Sequence, residues 1–172
     1  MIINGFAPIA DVDAKILILG SMPGVASLEA HQYYAHKRNA FWPLMARLLD
    51  EDLSFDYQAK VAMLLRHSIA LWDVIRCCER RGSSDSTIRN ALPNDFTAFW
   101  NTHKAIALIC CNGTTAYHMA KKFDITQGMS TYDNRPSLVM APSTSCANTI
   151  PFDEKLECWQ RILANVSGFL PR

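Results

Sequence analysis

The chain has no CxxC pair, although it carries six cysteines, at Cys77, Cys78, Cys110, Cys111, Cys146 and Cys158. Zinc sites and iron–sulfur clusters need thiolates at fixed short spacings, so no metal is expected and no cofactor is assigned. No apolar run approaches the ~20 residues that span a bilayer. No charged stretch followed by a long apolar run opens the chain, so no secretory leader is expected. Charge is also scarce. There are 17 Lys and Arg against 16 Asp and Glu, a net charge of +1. Such a chain is no general magnet for polyanions, and any nucleic-acid contact must come from local clusters. Low-complexity tracts and internal repeats are absent, which excludes solenoids and disordered scaffolds. Neither a GK[ST] phosphate loop nor a GxSxG elbow occurs, so Ser143 and Ser145 lack the setting of a serine nucleophile. The expectation is a reduced, soluble, intracellular protein with no membrane partner.

What is present suits one α/β domain covering 1–172. Hydrophobic residues make up 49% of the 172, enough for a substantial core. Ile16-Leu17-Ile18-Leu19 is a short β-rich run ending at Gly20, as in a strand buried on both faces. Ile69 to Ile75, Ala105 to Cys111 and Leu138 to Met140 read as three further strands. Between them, Phe41, Leu44, Met45, Leu48 and Leu49 recur at helical spacing, as do Tyr57, Val61, Leu64 and Leu65. Asn94 is expected to cap a helix carrying Phe96, Phe99 and Trp100. Thr114 to Phe123 reads as helix. Asp153 is expected to cap a last helix with Leu156, Trp159, Ile162, Leu163 and Val166 inward. Alternation of this kind predicts a three-layer α/β/α fold around a short, mainly parallel four-stranded sheet.

Ligands of such sheets bind beyond the carboxyl ends of the strands. The segments there start at Gly20, near Asp73, at Asn112 and at Ala141, and they are polar or turn-forming where the strands are greasy. Gly20-Ser21-Met22-Pro23-Gly24 offers backbone N–H groups to an anion or carbonyl, or is a plain strand-to-helix turn. Gln32 to Trp42 is basic and aromatic. Its rings suit bases and its cations suit phosphates, while Asn39 is equally placed to cap the next helix. Asn112 has an amide suited to a base edge, or caps the following helix. Pro142 to Ala147 supplies hydroxyls and amides, or is an ordinary loop.

Taken together, these segments resemble the uracil-DNA glycosylase superfamily. Gly20 to Gly24 is similar to its first motif and Ala141 to Ser145 to its second. Gly20 to Trp42, Leu71 to Ile75 and Gly82 to Ser86 look most like its hypoxanthine-DNA glycosylase branch. The resemblance implies a monofunctional enzyme that removes a deaminated base from damaged DNA, hypoxanthine ahead of uracil. It implies a base site at Gly20, Ser21, Met22, Pro23, Tyr34 and Asn112, with Tyr34 stacking on the base. Met22 stands where other branches carry a catalytic Asp or Asn, so the resemblance moves the catalytic amide to Asn39. His36, Lys37, Arg38, Ser83, Pro142, Ser143, Thr144, Ser145, Cys146 and Ala147 are implied to contact DNA.

Ala141 stands where several uracil branches place a histidine, which weakens uracil removal as the main activity. Lys37 and Cys146 stand where proline is expected in this branch. Arg76, Arg80, Arg81 and Arg89 around the Gly82-Ser83 turn are expected to support docking on phosphates. A lysine nucleophile at Lys37 is disfavoured, because an exposed amine stays protonated. The implied setting is a monomer in the cytoplasm, associated with the nucleoid when bound to DNA.

Overall fold

Apolar runs and turn chemistry set the element order in the computed structural model, which describes residues 2–127, 129 and 135–166. Chain order is β1 (Ile2–Asn4), β2 (Ile16–Gly20), α1 (Val25–Ala30), α2 (Phe41–Leu48), α3 (Tyr57–Arg66), β3 (Ile69–Asp73) and β4 (Ile75–Glu79). It continues with a 3-10 turn at Asp85–Thr87, β5 (Arg89–Pro93), α4 (Phe96–Thr102), β6 (Leu108–Asn112), α5 (Thr114–Lys122), β7 (Ser137–Ala141) and α6 (Phe152–Leu163).

The larger sheet has the order β3-β2-β6-β7, and every pair in it is parallel. Strands β2 and β3 are buried along their whole length, as the continuous apolar runs require. The register places the strand ends side by side. Gly20 lies opposite Asp73, and Asn112 lies opposite Ala141, so the sheet-end segments named from the sequence share one edge. Helix α3 packs on β3, α5 on β6 and β7, and α6 on β7 and α2. The core joins Leu17, Phe41, Leu44, Leu71, Ile109 and Trp159, all essentially without exposed surface.

The run from Ile69 to Ile75 is not one strand. It bends at Val74, whose N–H bonds to the Gly20 carbonyl at 2.9 Å, and changes partners there. The chain then enters a second, antiparallel sheet of order β1-β4-β5, which the sequence reading did not anticipate. Its packing core is a small cluster of Met22, Ile75, Cys78 and Ile88.

Two expected caps also differ. The cap of α4 is Asp95, whose carboxylate accepts from the Ala98 N–H, while the Asn94 amide donates to the Asp73 carbonyl at 2.7 Å. Helix α6 follows Pro151, and Asp153 sits in its first turn, where it complements the helix dipole without capping.

Candidate active site

The carboxyl ends of the larger sheet open into a cavity of about 720 Å³. That is well within the size range of small-molecule sites. Most of the residues singled out from the sequence border it: Gly20, Ser21, Met22, Pro23, Tyr34, His36, Asn39, Ser83, Asn112, Ser143, Thr144, Ser145, Cys146 and Ala147. Pro142 lies just behind, its carbonyl accepting from Trp159 Nε1 at 2.9 Å. Lys37 and Arg38 are exposed beside the rim and do not border the cavity.

The first-motif turn is held from behind. Arg80, expected at the surface, has a fully buried side chain. Its guanidinium donates to the carbonyls of Met22 and Pro23 and lies 3.9 Å from the Asp85 carboxylate. Ser21 donates its hydroxyl to Asp85 at 2.8 Å, and Ser83 accepts from the Val25 N–H at 2.9 Å. Arg80 is therefore a structural clamp and no phosphate ligand. The exposed arginines of that group are Arg76, Arg81 and Arg89. The Met22 side chain turns into the small cluster of the second sheet.

Two glycines are required by close approach. A Cβ on Gly20 would lie 2.2 Å from Asp73 Oδ1 and 3.1 Å from the Tyr34 hydroxyl. Gly113 has φ +101°, and a Cβ there would meet Ser143 Cβ at 2.9 Å. Replacing Gly113 by alanine is expected to destabilise the fold by about 1–3 kcal/mol, read as a lower urea midpoint, and to push the second-motif loop outward.

Tyr34 sits in the left-handed region with φ 54°, unusual for a bulky residue. Its neighbours hold it there. Trp42 Nε1 donates to the Tyr33 carbonyl, Tyr33 donates its hydroxyl to the Ala7 carbonyl, and the Tyr34 ring stacks on Phe41 at 4.0 Å. Asn112 joins the loops across the cavity. Its amide nitrogen donates to the Tyr34 hydroxyl at 3.0 Å and to Thr144 Oγ1 at 2.8 Å, and its oxygen accepts from the Thr144 N–H at 2.8 Å. Both amide hydrogens are spent on protein, which leaves one oxygen lone pair for a ligand donor.

Asn39 is not the cap of α2: that position is Ala40, and no side chain caps it. The Asn39 Oδ1 accepts from the Phe41 N–H at 3.0 Å at the entry to α2, and its half-buried side chain borders the cavity. The next residue, Ala40, donates its N–H to the Thr144 carbonyl at 2.9 Å, which ties the Asn39 loop to the second-motif loop. That second loop is braced by Lys155, whose ammonium donates to the Asn148 carbonyl at 2.9 Å.

The sequence reading named the neighbourhood of Asp73 but not its side chain. Asp73 is 4% exposed and borders the cavity, and its Oδ2 is buried with no hydrogen-bond partner among the described residues. Burial pushes its carboxyl up to about 7. The nearby Asp85 raises it further and Arg80 opposes both. The signal that could have found it was an acid at the end of a greasy strand. Asp85, Ser84 and Ser86 are further cavity residues missed as side chains.

An unfolded Asp73 ionises near 3.8, while the folded one holds its proton to about 7. Between those values the folded state binds more protons, so stability falls as pH rises through that window and then levels off. Urea unfolding across the window is expected to show this decline, and Asp73→Asn to flatten it.

Among the described residues no group of three His, Cys, Asp or Glu side chains is placed to hold a metal ion. No described helix is long and apolar enough to cross a membrane.

The cavity and its loops have counterparts in known proteins. The family model described as the Uracil DNA glycosylase superfamily matches residues 7–166. A Methanosarcina acetivorans protein named Hypoxanthine DNA glycosylase is 36% identical over 149 residues, which is 86% of this chain and 89% of that protein. A Methanosarcina barkeri protein of the same name is 40% identical over 111 residues, 64% of this chain and 70% of the relative. A solution NMR structure of a Methanosarcina acetivorans protein, provisionally described as a uracil DNA glycosylase, matches with a TM-score of 0.79 at 32% identity, covering 94% of this chain and 96% of the other. The match takes in every loop that builds the cavity, and the chain belongs to the uracil DNA glycosylase superfamily.

Proposed function

We propose that the protein is a monofunctional DNA glycosylase that hydrolyses the N-glycosidic bond of deoxyinosine, releasing hypoxanthine and leaving an abasic site. The observation that carries this reading is the convergence of the sheet-end turns on one cavity bordered by Asn39, Tyr34 and Asn112. The names of the two Methanosarcina relatives point the same way. The damaged nucleotide leaves the duplex and enters this cavity, since its sugar carbon is out of reach inside the stack.

Gly20 to Pro23 and Tyr34 receive the base. The free lone pair on Asn112 faces a donor such as the N1–H of hypoxanthine. Asn39 holds water in line with the sugar carbon. His36, Lys37, Arg38, Ser83 and the loop from Pro142 through Ser143, Thr144, Ser145 and Cys146 to Ala147 grip the strand. Ala141 is buried at 1% exposure and does not border the cavity, so no side chain at that position polarises a uracil carbonyl. The protein acts in the cytoplasm, as a monomer on damaged DNA.

The test is base release from matched duplexes carrying inosine, uracil or xanthine, followed by alkali to cut abasic sites. Release from inosine at the highest rate supports the reading. Faster release from uracil makes it a uracil enzyme, and tight binding without release makes it a lesion-binding protein. Strand cleavage before alkali would bring back a lysine nucleophile. Binding is expected to weaken steeply with added salt. Lys37→Ala or Arg38→Ala, measured by titration across a salt series, should reduce the log–log salt slope by about 0.9 each if each meets one phosphate.

A further inference from the structure

Among the described residues, Asp73 is a buried acid with no hydrogen-bond partner for its Oδ2 and no ion pair. It ends β3, opposite Gly20, at the point where the chain passes from one sheet to the other. Its backbone carbonyl is taken by Asn94, and its Oδ1 packs so tightly over Gly20 that no side chain fits there. Its Oδ2 has no partner and it forms no salt bridge among the described residues. The nearby cation, Arg80, is committed to the Met22 and Pro23 carbonyls and to Asp85.

The groups that face it are Asp85 from the 3-10 turn, Arg80 just after β4, and Tyr33 and Tyr34 from the loop before α2, with His36 on the cavity rim. An unpaired carboxylate is costly to bury, and a neutral carboxylic acid is a hydrogen-bond donor. Two neighbouring donors are already committed, Ser21 to Asp85 and the Asn112 amide to Tyr34 and Thr144. A deaminated purine presents N3, N7 and O6 as acceptors, so the cavity floor has one free acid and the ligand has acceptors to meet it.

We propose that Asp73 is the general acid of the reaction, donating its proton to a ring nitrogen of the leaving purine. The inference rests on the glycosylase reading above. The bond between the sugar carbon and N9 breaks with its electron pair going to the base. The base takes the Asp73 proton and leaves neutral. Water adds its oxygen to the sugar carbon, and its released proton restores the Asp73 carboxylic acid through solvent. The sum is one water consumed, one free base and one abasic sugar. The direction of the Asp73 shift agrees, because the acid form persists to about pH 7.

The experiment is single-turnover base release by the full-length protein on duplexes carrying inosine, 7-deazainosine or 3-deazainosine, at pH 5.5 to 9. Wild type is expected to lose about tenfold in rate per pH unit above neutrality. Asp73→Asn keeps a donor of similar shape but cannot give up a proton. It should be slower by roughly 100-fold on inosine, the low end for acid–base catalysis, with a flat pH profile. One deaza analogue should slow wild type strongly and leave the variant unchanged, because variant and analogue remove the same proton transfer.

If Asp73→Asn releases hypoxanthine at the wild-type rate with the same pH profile, the acid assignment fails and the glycosylase reading stands. If both deaza analogues react in wild type as inosine does, the assignment fails without any variant. If wild type releases no base from inosine DNA, the underlying reading fails and takes the assignment with it.

Discussion

Asn39→Ala is expected to slow release of hypoxanthine by about 100- to 1000-fold, equivalent to about 2.7–4 kcal/mol of lost barrier stabilisation, the range for removing one preorganised polar group at a reacting centre. The side chain also serves the fold, since Oδ1 accepts from the Phe41 N–H. Losing that bond costs about 1 kcal/mol, the net worth of one intramolecular hydrogen bond. The two effects separate by choice of variant and readout. Asn39→Asp keeps an acceptor for Phe41 and removes the amide donor of a side chain that borders the cavity. A thermal midpoint near wild type with slow release places the loss in the chemistry. Single-turnover rates are the measurement, with KM recorded alongside, because an interaction made only in the transition state lowers kcat and leaves KM in place. Wild-type rates from Asn39→Ala would remove the carboxamide from the mechanism and leave it as a brace at the entry to α2.

The sheet was legible because its strands are buried on both faces. Ile16 to Leu19 is uninterrupted apolar sequence that stops at a glycine, and the same contrast marks Cys111 against Asn112. The positions of the loops followed, since parallel strands bring all their carboxyl ends to one edge. The second sheet was not legible for the opposite reason. Strand β4 alternates buried Ile75 and Cys78 with exposed Arg76 and Glu79 over one short element, and β5 is mostly exposed, so neither carries a long apolar signal.

The break at Val74 was hidden because two strands joined by a single bent residue look like one strand from their composition. Arg80 and Asp73 were misplaced or missed for a shared reason. Charged residues are read as surface by default. Both are buried here, Arg80 because the Met22 and Pro23 carbonyls accept from it behind the first-motif turn, and Asp73 because it ends a strand buried along its whole length. Asn112 shows a subtler limit. Its location at the strand end was readable, but the spending of both its amide hydrogens on Tyr34 and Thr144 depends on loops far away in sequence.

Arg80→Ala is expected to destabilise the protein by about 3–5 kcal/mol, the range for breaking a buried charge network. With ~2–4 °C lost per kcal/mol in a chain of this size, the thermal midpoint should fall by roughly 6–20 °C. The loss has identifiable parts. The Met22 and Pro23 carbonyls lose a charged donor that no water easily replaces behind the turn, and the space of a fully buried side chain is left unfilled. Arg80→Lys should recover little, because one ammonium cannot reproduce a planar fork that serves both carbonyls and faces Asp85.

Activity should fall as well, since the Met22–Pro23 end of the turn that floors the cavity then loses its guanidinium support and keeps Ser21 on Asp85 and Ser83 on Val25. The residual activity carries a second signature. Arg80 opposes the upward shift of the Asp73 carboxyl, so without it Asp73 keeps its proton to higher pH. Where the variant is studied below its melting temperature, the alkaline fall in base release should move upward. Equal midpoints for Arg80→Ala and wild type in thermal unfolding would show that the guanidinium is no clamp, and the first-motif turn would need another support.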